Sequence, residues 1–262
     1  MPLQARSFDD IEIEDEGSFA HVALYGRLKE ALRGSGHRFL VPAAGTSMSW
    51  DRAAFLNLTF WSGDEGADVL CEGSLAADVI AHAAWHHLAG VALARAAGKG
   101  APSAAAFLFG EAIASAFDLY LVGRLLPNVP DSDFITTQVP ILHDVAREAG
   151  MSDPDFEALL AEIVREPERA FEDLRALLFE VLMALYACRD AAAAQLALEK
   201  AAGHRFEALL HHFQLSNWIL YCRAYAAASP AHDAAVAELH GALTAAPVSL
   251  DWLEEKWLDV TP

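Results

Sequence analysis

The spacing of apolar and polar residues differs between the first 73 residues and the rest of the chain. Residues 19–33 have the spacing of an amphipathic helix, whereas residues 37–41 and 56–61 are short and β-like. Within residues 56–61, apolar positions alternate with other side chains, which is typical of a half-buried strand. The pattern therefore predicts a mixed α and β part over residues 1–73.

From residue 74 onward, the pattern predicts helix almost throughout. Ser74 is a candidate N-cap for a helix to about Ala97, and Ser103 is a candidate N-cap for the next helix, which ends near Leu126. The irregular stretch that we expect after it contains Pro127, Pro130 and Pro140. Further helices are predicted near residues 141–149, 154–165, 167–188, 190–200, 204–228 and 231–245, and a short one at the C-terminus.

Composition places the chain among globular proteins. It has 262 residues, of which 54% are hydrophobic and 21% charged, so it can bury a large core. We predict a mainly α (α+β) fold in a single domain over residues 1–262. A small β element belongs to the N-terminal part, 1–73, and residues 74–262 form the helical part.

The formal net charge of −19 restricts the partners that the protein can have. A nucleic-acid-binding protein needs a basic stripe, and the 18 Lys and Arg residues here are scattered. The charge also argues against binding to an anionic membrane surface. Three dispersed cysteines without CxxC spacing (Cys71, Cys188 and Cys222) and a polar, acidic N-terminus predict a cytoplasmic protein without a signal peptide.

One apolar run, residues 104–126, is long enough to cross a bilayer. Glu111 and Asp118 lie inside it, and acids near the centre of a membrane helix cost about 2.5–3.5 kcal/mol each. We therefore expect a buried helix of a soluble protein rather than a membrane span.

Two histidines share one face of the first long helix. His82 and His86 are four residues apart, so both rings leave the same face one turn apart. The surrounding residues, 75–90, are almost entirely apolar apart from Asp78 and His87. This spacing allows two imidazoles to bind one metal ion, as in an HExxH motif. Two hydrogen-bonded core histidines are the alternative.

The following helix carries acids on an apolar surface. Glu111 and Asp118 are seven residues apart on one face, with Ser115 between them. No Lys or Arg occurs between Lys99 and Arg124, so the helix itself supplies no counter-charge. A buried carboxylate must be protonated, paired or bound to a cation. One shared divalent ion would bind the imidazoles of one helix and the carboxylate of the other. A His–Glu network or a distant basic side chain is the alternative.

On these residues the sequence resembles the gluzincin group of zinc metallopeptidases, in which HExxH lies on one helix and a Glu of a following helix is the third ligand. The matching stretches are HAAWH at 82–86 and EAIAS at 111–115, and the β-like segment 56–61 matches the edge strand of the cleft. The resemblance implies a divalent metal, Zn²⁺ first, bound by His82, His86 and Glu111. Asp118 or Ser115 would orient a ligating imidazole. It also implies a peptide or small-molecule substrate.

One position departs from that motif. HExxH enzymes use their Glu as a general base on the metal-bound water, and here that position is Ala83. Loss of such a base costs about 10²–10⁴-fold in rate. The sequence therefore predicts a zincin-like, metal-dependent protein whose catalytic base is missing. It is a deliberately inactivated variant, a natural pseudo-peptidase, or a protein whose metal chemistry needs no base at this position.

The last interpretation has a specific form. Two histidines and one carboxylate are also the ligand set of non-haem Fe(II) oxygenases, and some peptide-modifying Fe(II)/2-oxoglutarate proteins are similar in using an HExxH motif. Such an enzyme needs a basic residue to clamp its cosubstrate, and the candidates are Arg95, Arg124 and Arg223. A third hypothesis is a non-enzymatic helical interaction protein whose polar helix faces pair inside the core.

Other groups near the motif could contribute to it. His87 points about 100° away from His86, so we expect it to support the site or the fold rather than to bind the ion. Asp78, one turn before His82, is a possible extra ligand.

Groups further along the chain are weaker candidates. His211, which adjoins His212, and Tyr221 could steady an oxyanion, with core packing as the alternative. His143 follows the proline-containing stretch and could border the cleft or lie on the surface.

Overall fold

The computed structural model describes residues 3–42, 67–70, 73–97, 103–225 and 233–259. It is mainly helical with a few short strands, which confirms the predicted fold class. The chain divides into two compact units, Met1–Ala84 and Trp85–Pro262. The single domain over residues 1–262 stays a prediction. The strand predicted at 56–61 and Cys71 lie outside the described residues.

The described residues of the first unit form two small sheets, one complete α-helix and the start of a second. The strands are β1 (Leu3–Ser7), β2 (Glu12–Glu14), β3 (Arg38–Pro42), β4 (Ala67–Val69) and β5 (Ser74–Ala76). β3 pairs antiparallel with β1 and parallel with β4, and β2 pairs parallel with β5. The helix α1 is Ala23–Gly34, after 3₁₀ turns at Phe8–Asp10 and Glu16–His21.

Helix α1 supplies much of the core of this unit. Leu28 and Leu32, four residues apart on one face, are fully buried, as are Phe19 and Phe39. Burial of each such side chain contributes about 1.5–3 kcal/mol. The amphipathic helix predicted over residues 19–33 is therefore confirmed from Ala23 onward, whereas its first residues form a 3₁₀ turn.

The prediction that Ser74 caps the next helix is wrong. Ser74 belongs to β5, where it lies opposite Glu12, and the helix begins only at Ala77. Pairing with a strand so much earlier in the chain is a non-local contact that a capping pattern cannot show. This helix, α2 (Ala77–Ala97), starts in the first unit and continues into the second.

After α2, the described residues of the second unit are helical. The α-helices are α3 (Ala104–Leu125), α4 (Asp133–Glu148), α5 (Asp153–Arg165), α6 (Pro167–Ala187), α7 (Ala191–Glu199), α8 (Leu215–Tyr225), α9 (Ala234–Ala245) and α10 (Ser249–Leu253). A 3₁₀ segment, Glu207–Phe213, precedes α8, and a π-helical turn, Glu254–Leu258, follows α10. Five helices begin at a side chain that accepts a backbone N–H, namely Ser103, Ser132, Ser152, Asp190 and Asp233. The predicted cap at Ser103 is confirmed.

Helix α3 is the central element of this unit and packs extensively on α6. All its residues except Phe107, Asp118 and Arg124 are buried, so it is apolar around its whole circumference rather than along one stripe. Of the described helices it is the one long and apolar enough to cross a membrane, and 89% of its most apolar stretch is buried inside the protein. The core of a globular protein accounts for that burial.

Pro140 does not lie in an irregular stretch, as the sequence predicted, but inside helix α4. The Ser132 side chain accepts the N–H of Ile135 and starts the helix eight residues before the proline. Proline cannot donate to the carbonyl four residues back, which here belongs to Thr136. Pro140 and Thr136 are both exposed, so water can satisfy that carbonyl and the helix continues.

The helix predicted over residues 204–228 is broken in two. Gln214 has φ 48, in the left-handed region, and separates the 3₁₀ segment Glu207–Phe213 from α8. His211 and His212 therefore belong to a 3₁₀ segment and not to the helix that carries Tyr221. Glutamine has no local preference for this conformation, so the sequence pattern does not reveal the break.

Candidate metal centre

Helices α2 and α3 bring together the three residues predicted to bind a metal ion. His82, His86 and Glu111 can each offer one ligand atom, and these atoms all lie within 4.8 Å of one another. Both histidines are half-buried, and Glu111 is only 3% exposed. Because His82 and His86 belong to one continuous helix, the helical repeat fixes their spacing.

Both oxygens of the buried Glu111 carboxylate have partners. Oε2 lies 3.1 Å from Nε2 of His86, and the Ser115 hydroxyl donates a 2.6 Å hydrogen bond to Oε1. Ser115 is one turn beyond Glu111 on the same helix, so the contact follows from the helical repeat. The sequence resemblance assigned Ser115 to a ligating imidazole. In the structure it orients the carboxylate instead.

Gly110 lets the ring of His86 lie against the main chain of α3. A Cβ atom at this position would lie 3.3 Å from Cβ of Ala89 and 3.7 Å from Nδ1 of His86. The first of these distances is tighter than an ordinary van der Waals contact. Glycine at position 110 therefore permits the close approach between α2 and α3 at the level of Glu111.

Three aromatic side chains form a series of ring contacts that begins at His86. The ring of Trp218 stacks on the ring of His86, with centroids 6.0 Å apart and an interplanar angle of 28°. Tyr221 packs edge-on against Trp218 at 6.1 Å and against Phe107 at 5.2 Å. All four side chains are half-buried. We call Phe107, Tyr221 and Trp218 the aromatic row.

Sequence reasoning did not single out Trp218 or Cys222 as parts of the site. Both are on one face of α8, four residues apart, and that helix packs on α3. Burial raises the pKa of the Cys222 thiol to about 12, and the charge of Glu111 adds to this increase. The i, i+4 spacing of Trp218 and Cys222 is the signal from which this face could have been found.

The two other acids predicted near the site, Asp78 and Asp118, lie near different residues. Burial lowers the pKa of His212, while the charge of Asp118 acts in the opposite direction. Burial raises the pKa of Tyr25, and the charge of Asp78 adds to that increase. Neither Asp118 nor Asp78 belongs to the described group of ligand atoms within 4.8 Å. Asp118 thus lies near His212, and Asp78 near Tyr25.

The remaining histidines predicted as candidates lie elsewhere. His87 is half-buried and His211 is exposed, and neither belongs to the described group of ligand atoms. His211 lines a separate cleft together with Cys188 and Arg189. Nε2 of His143 lies 3.0 Å from Oδ1 of Asp153, in an exposed pair at the start of α5.

The arginines considered for a cosubstrate clamp have other partners. Arg124 binds the hydroxyl of Tyr120 and the carboxylate of Glu168, and thirteen residues of helix place it about 20 Å along α3 from Glu111. Arg223 donates a 2.6 Å hydrogen bond to the carbonyl oxygen of Cys188. The side chain of Arg95 lies outside the described part of the chain.

One distance between the ligand atoms is close to that of a small-cation site. In a tetrahedral zinc site, metal–ligand bonds of about 2.0–2.2 Å place neighbouring ligand atoms roughly 3.3–3.6 Å apart. The 3.1 Å between His86 and Glu111 is close to that separation, and the third atom is within 4.8 Å. The residue at the general-base position, Ala83, is buried and has no group that can transfer a proton.

No protein-family model, curated protein or solved structure matches this chain. The interpretation of the site therefore depends on the geometry and chemistry of its residues.

Proposed function

We propose that this protein is a zincin-like metalloprotein in which His82, His86 and Glu111 hold one divalent cation, Zn²⁺ in preference to others. The observation that carries this proposal is the convergence of the three ligand atoms within 4.8 Å. Two imidazoles and one carboxylate are the protein ligands of several catalytic zinc sites, which keep a further position for water or substrate. The half-buried histidines are compatible with a ligand that reaches the ion from solvent.

The burial of Glu111 is compatible with a bound cation. Glu111 is buried on a helix whose residues 104–123 include no Lys or Arg. The Ser115 hydroxyl and the His86 imidazole contact its two carboxylate oxygens. A divalent ion would stabilise the ionised carboxylate, and it would supply a Lewis acid for the carbonyl group of a bound substrate.

Ala83 determines what the centre does with a bound substrate. Without a carboxylate at this position, the protein lacks the proton acceptor that HExxH peptidases use. We therefore propose that the centre binds and polarises a carbonyl-bearing peptide or small molecule in the cytoplasm, and that peptide hydrolysis is slow or absent. His82, His86 and Glu111 have the role of ligands, and Ser115 that of orienting Glu111.

Metal content tests the proposal directly. The purified protein should contain one equivalent of zinc by elemental analysis, and EDTA should lower its melting temperature. A ligand at 100 times its Kd stabilises a folded protein by about 2.7 kcal/mol, so the shift is measurable. Stoichiometric Fe(II) with turnover of 2-oxoglutarate would instead support the oxygenase hypothesis. No metal and an unchanged melting temperature would show that the three residues form a structural network.

Matched variants assign the ligands. His82→Ala, His86→Ala and Glu111→Gln should each weaken Zn²⁺ binding by about 100-fold or more in a calorimetric titration, since each removes one ligand. His211→Ala removes an exposed histidine outside the group and is the control. Equal zinc affinity in the control and in all three variants would contradict the assignment.

Restoring the missing base tests the relation to peptidases. In Ala83→Glu, a competent zincin scaffold should gain peptide cleavage that EDTA abolishes. Because Ala83 is buried, the variant must first be shown to be folded and to bind Zn²⁺ as the parent does. Zinc binding without any gain of cleavage would count against a peptidase origin, while the metal centre itself would stand.

A further inference from the structure

A large cleft lies within the second unit, and none of the three candidate metal ligands lines it. Its volume is about 1,510 Å³, which exceeds the roughly 300–1,000 Å³ of pockets that enclose small molecules. Helices α7 and α8 both pack on α6 and both line the cleft, together with the C-terminal end of α4 and the 3₁₀ segment Glu207–Phe213. We call it the α7–α8 cleft. Its size suits a segment of a polypeptide better than a small molecule.

Aliphatic side chains line the cleft from both helices. Ala194 and Leu198 lie one turn apart on α7, and Leu215 and Ile219 lie one turn apart on α8. Leu220, which also lines the cleft, is 62% exposed. Two helices that present aliphatic side chains at this spacing, with a large exposed leucine beside them, form the kind of groove into which the apolar stripe of another helix packs.

Carboxylate groups outnumber guanidinium groups around the cleft. Three arginines line it, and two of them have internal partners: Arg205 pairs with Asp173 at 2.8 Å, and Arg223 donates to the carbonyl oxygen of Cys188. Five acids line it, and all of them are exposed: Glu148, Asp155, Asp190, Glu199 and Glu207.

The hydrogen bonds that these acids accept do not neutralise their charge. Asp190 and Glu207 accept backbone N–H groups, and Glu199 accepts the side-chain amide of Gln195. All three donors are neutral, so the negative charges remain at the edge of the cleft. The whole chain has a formal net charge of −19, which attracts positively charged partners over a longer range. Short-range and long-range charge therefore favour the same kind of partner.

We propose that the α7–α8 cleft docks an amphipathic α-helix of another protein, with an apolar stripe that packs on α7 and α8 and with Lys or Arg on either side of that stripe. The apolar positions of such a helix recur at i, i+3 or i+4, and i+7. The aliphatic stems of its basic side chains can cover the apolar edge while their charged ends meet the carboxylates. This docking surface does not depend on the metal centre.

Three peptides of about five helical turns test the proposal with the full-length protein. The first has leucines along one stripe and lysines elsewhere, the second has every lysine replaced by glutamate, and the third has the composition of the first with its leucines scattered around the helix. By fluorescence anisotropy, the first should bind at least about 10-fold more tightly than the other two, and salt should weaken it. Equal binding of the scattered peptide would reduce the effect to general charge attraction and overturn the proposal, as would tightest binding of the acidic peptide.

Two equally exposed leucines provide a matched pair of variants. Leu220→Ser should weaken the first peptide by about 10-fold, because it removes apolar area that the bound helix covers. Leu196→Ser is the control, since Leu196 is 61% exposed on α7 but does not line the cleft. Equal effects of the two substitutions would contradict docking in the cleft.

A second pair of variants separates the local charge from the net charge. Glu148→Gln combined with Glu199→Gln should weaken the first peptide by about 5-fold. Glu157→Gln combined with Glu238→Gln changes the net charge equally at exposed positions that do not line the cleft, and it should leave the affinity nearly unchanged. Equal weakening by both double variants would assign the attraction to the whole protein surface and overturn the proposal.

Sedimentation velocity distinguishes a partner helix from a second copy of this chain. The parent protein and Leu220→Ser should both sediment as monomers at the concentrations of the peptide titrations. A parent that self-associates, together with a Leu220→Ser variant that does not, would show that a second copy occupies the cleft. That result would overturn the proposal of a basic partner helix.

Discussion

The hydroxyl group of Ser115 donates a 2.6 Å hydrogen bond to Oε1 of Glu111 from one turn further along α3. This contact leaves Oε2 directed at His86, at 3.1 Å. Both Ser115 and Glu111 are buried, so the carboxylate is held in one orientation by its own helix. In the proposed metal centre, such preorganisation would favour ion binding because less conformational freedom would be lost when the ion enters.

Replacement of Ser115 by Ala should therefore affect both stability and metal binding. A buried carboxylate oxygen that loses its donor costs about 1–3 kcal/mol, and loss of a group that orients a ligand weakens metal affinity by about 10-fold. Urea denaturation and zinc titration measure the two effects. Ser216→Ala, at an exposed position, is the control and should change stability by less than about 0.5 kcal/mol. Unchanged zinc affinity in Ser115→Ala would show that the hydroxyl does not position Glu111.

Gly123 marks the tightest helix contact of the described glycines. A Cβ atom there would lie 2.7 Å from the carbonyl oxygen of Ile163 and 2.8 Å from Cβ of Pro167. Because the first neighbour is backbone, it cannot rotate away, and Gly123→Ala should lower the free energy of unfolding by at least about 2 kcal/mol.

Gly241→Ala is the matched control for that substitution. Gly241 also lies inside a helix, α9, but a Cβ atom there would meet nothing within 4 Å. Alanine is the better helix former, so this variant should gain about 0.5–1 kcal/mol in unfolding free energy. Thermal or urea denaturation of the pair gives the comparison. Equal effects of the two substitutions would contradict the close packing at Gly123.

Stability should decrease as the solution becomes acidic, beginning near pH 6.5. Burial lowers the pKa of His204, His212 and His240 below the ordinary value of 6.5. Below this pH the unfolded chain binds protons that the folded protein does not, so the stabilisation is complete above pH 6.5 and is lost as the pH falls. Urea denaturation at pH 7.5 and pH 5.5 should give a smaller unfolding free energy at pH 5.5.

His240 offers a variant that tests the cause of this dependence. Nδ1 of His240 lies 3.0 Å from Nη1 of the buried Arg175, and only a neutral ring can accept this hydrogen bond. Arg175 also pairs with Glu172, which fixes the guanidinium. In His240→Asn an acceptor remains and the titrating group is gone, so the change in stability between the two pH values should be smaller than in the parent. An equal or larger change would exclude His240 as a source.

Cys222 should resist alkylation in the folded protein. Its thiol is 1% exposed and has a pKa of about 12 rather than the ordinary 9.0, so the reactive thiolate is about 1,000-fold scarcer at pH 8. Iodoacetamide at pH 8 should modify the half-buried Cys188 first, and peptide mapping by mass spectrometry distinguishes the two. Labelling of Cys222 as fast as Cys188 would contradict the burial of this side of α8.

The parts of the site that the sequence predicted are those that depend on helical periodicity alone. His82 and His86 share a face because they are four residues apart. The same spacing explains the contact of Ser115 with Glu111, although the sequence resemblance had placed Ser115 on an imidazole. The prediction that Glu111 lies beside the two histidines of the preceding helix came from the chemistry of a buried carboxylate, which needs a partner. Helix α3 and its cap at Ser103 were likewise visible as a local pattern.

The parts that the sequence did not reveal depend on contacts between distant segments. Ser74 pairs with Glu12 and so belongs to a strand. Trp218 stacks on His86, although its helix lies more than a hundred residues later in the chain. Gln214 takes a left-handed conformation that its residue type does not favour. Each of these is decided by tertiary packing that overrides local preference, as is common where segments far apart in sequence meet.

The glycine at position 110 bears on the size of the cation that the proposed centre would hold. A methyl group there would lie 3.3 Å from Cβ of Ala89, so the neighbouring helix would have to give by a few tenths of an ångström. His86 and Glu111 belong to these two helices and lie 3.1 Å apart through Nε2 and Oε2. In the proposed centre, a wider separation of the helices would disfavour the short metal–ligand bonds of a small cation.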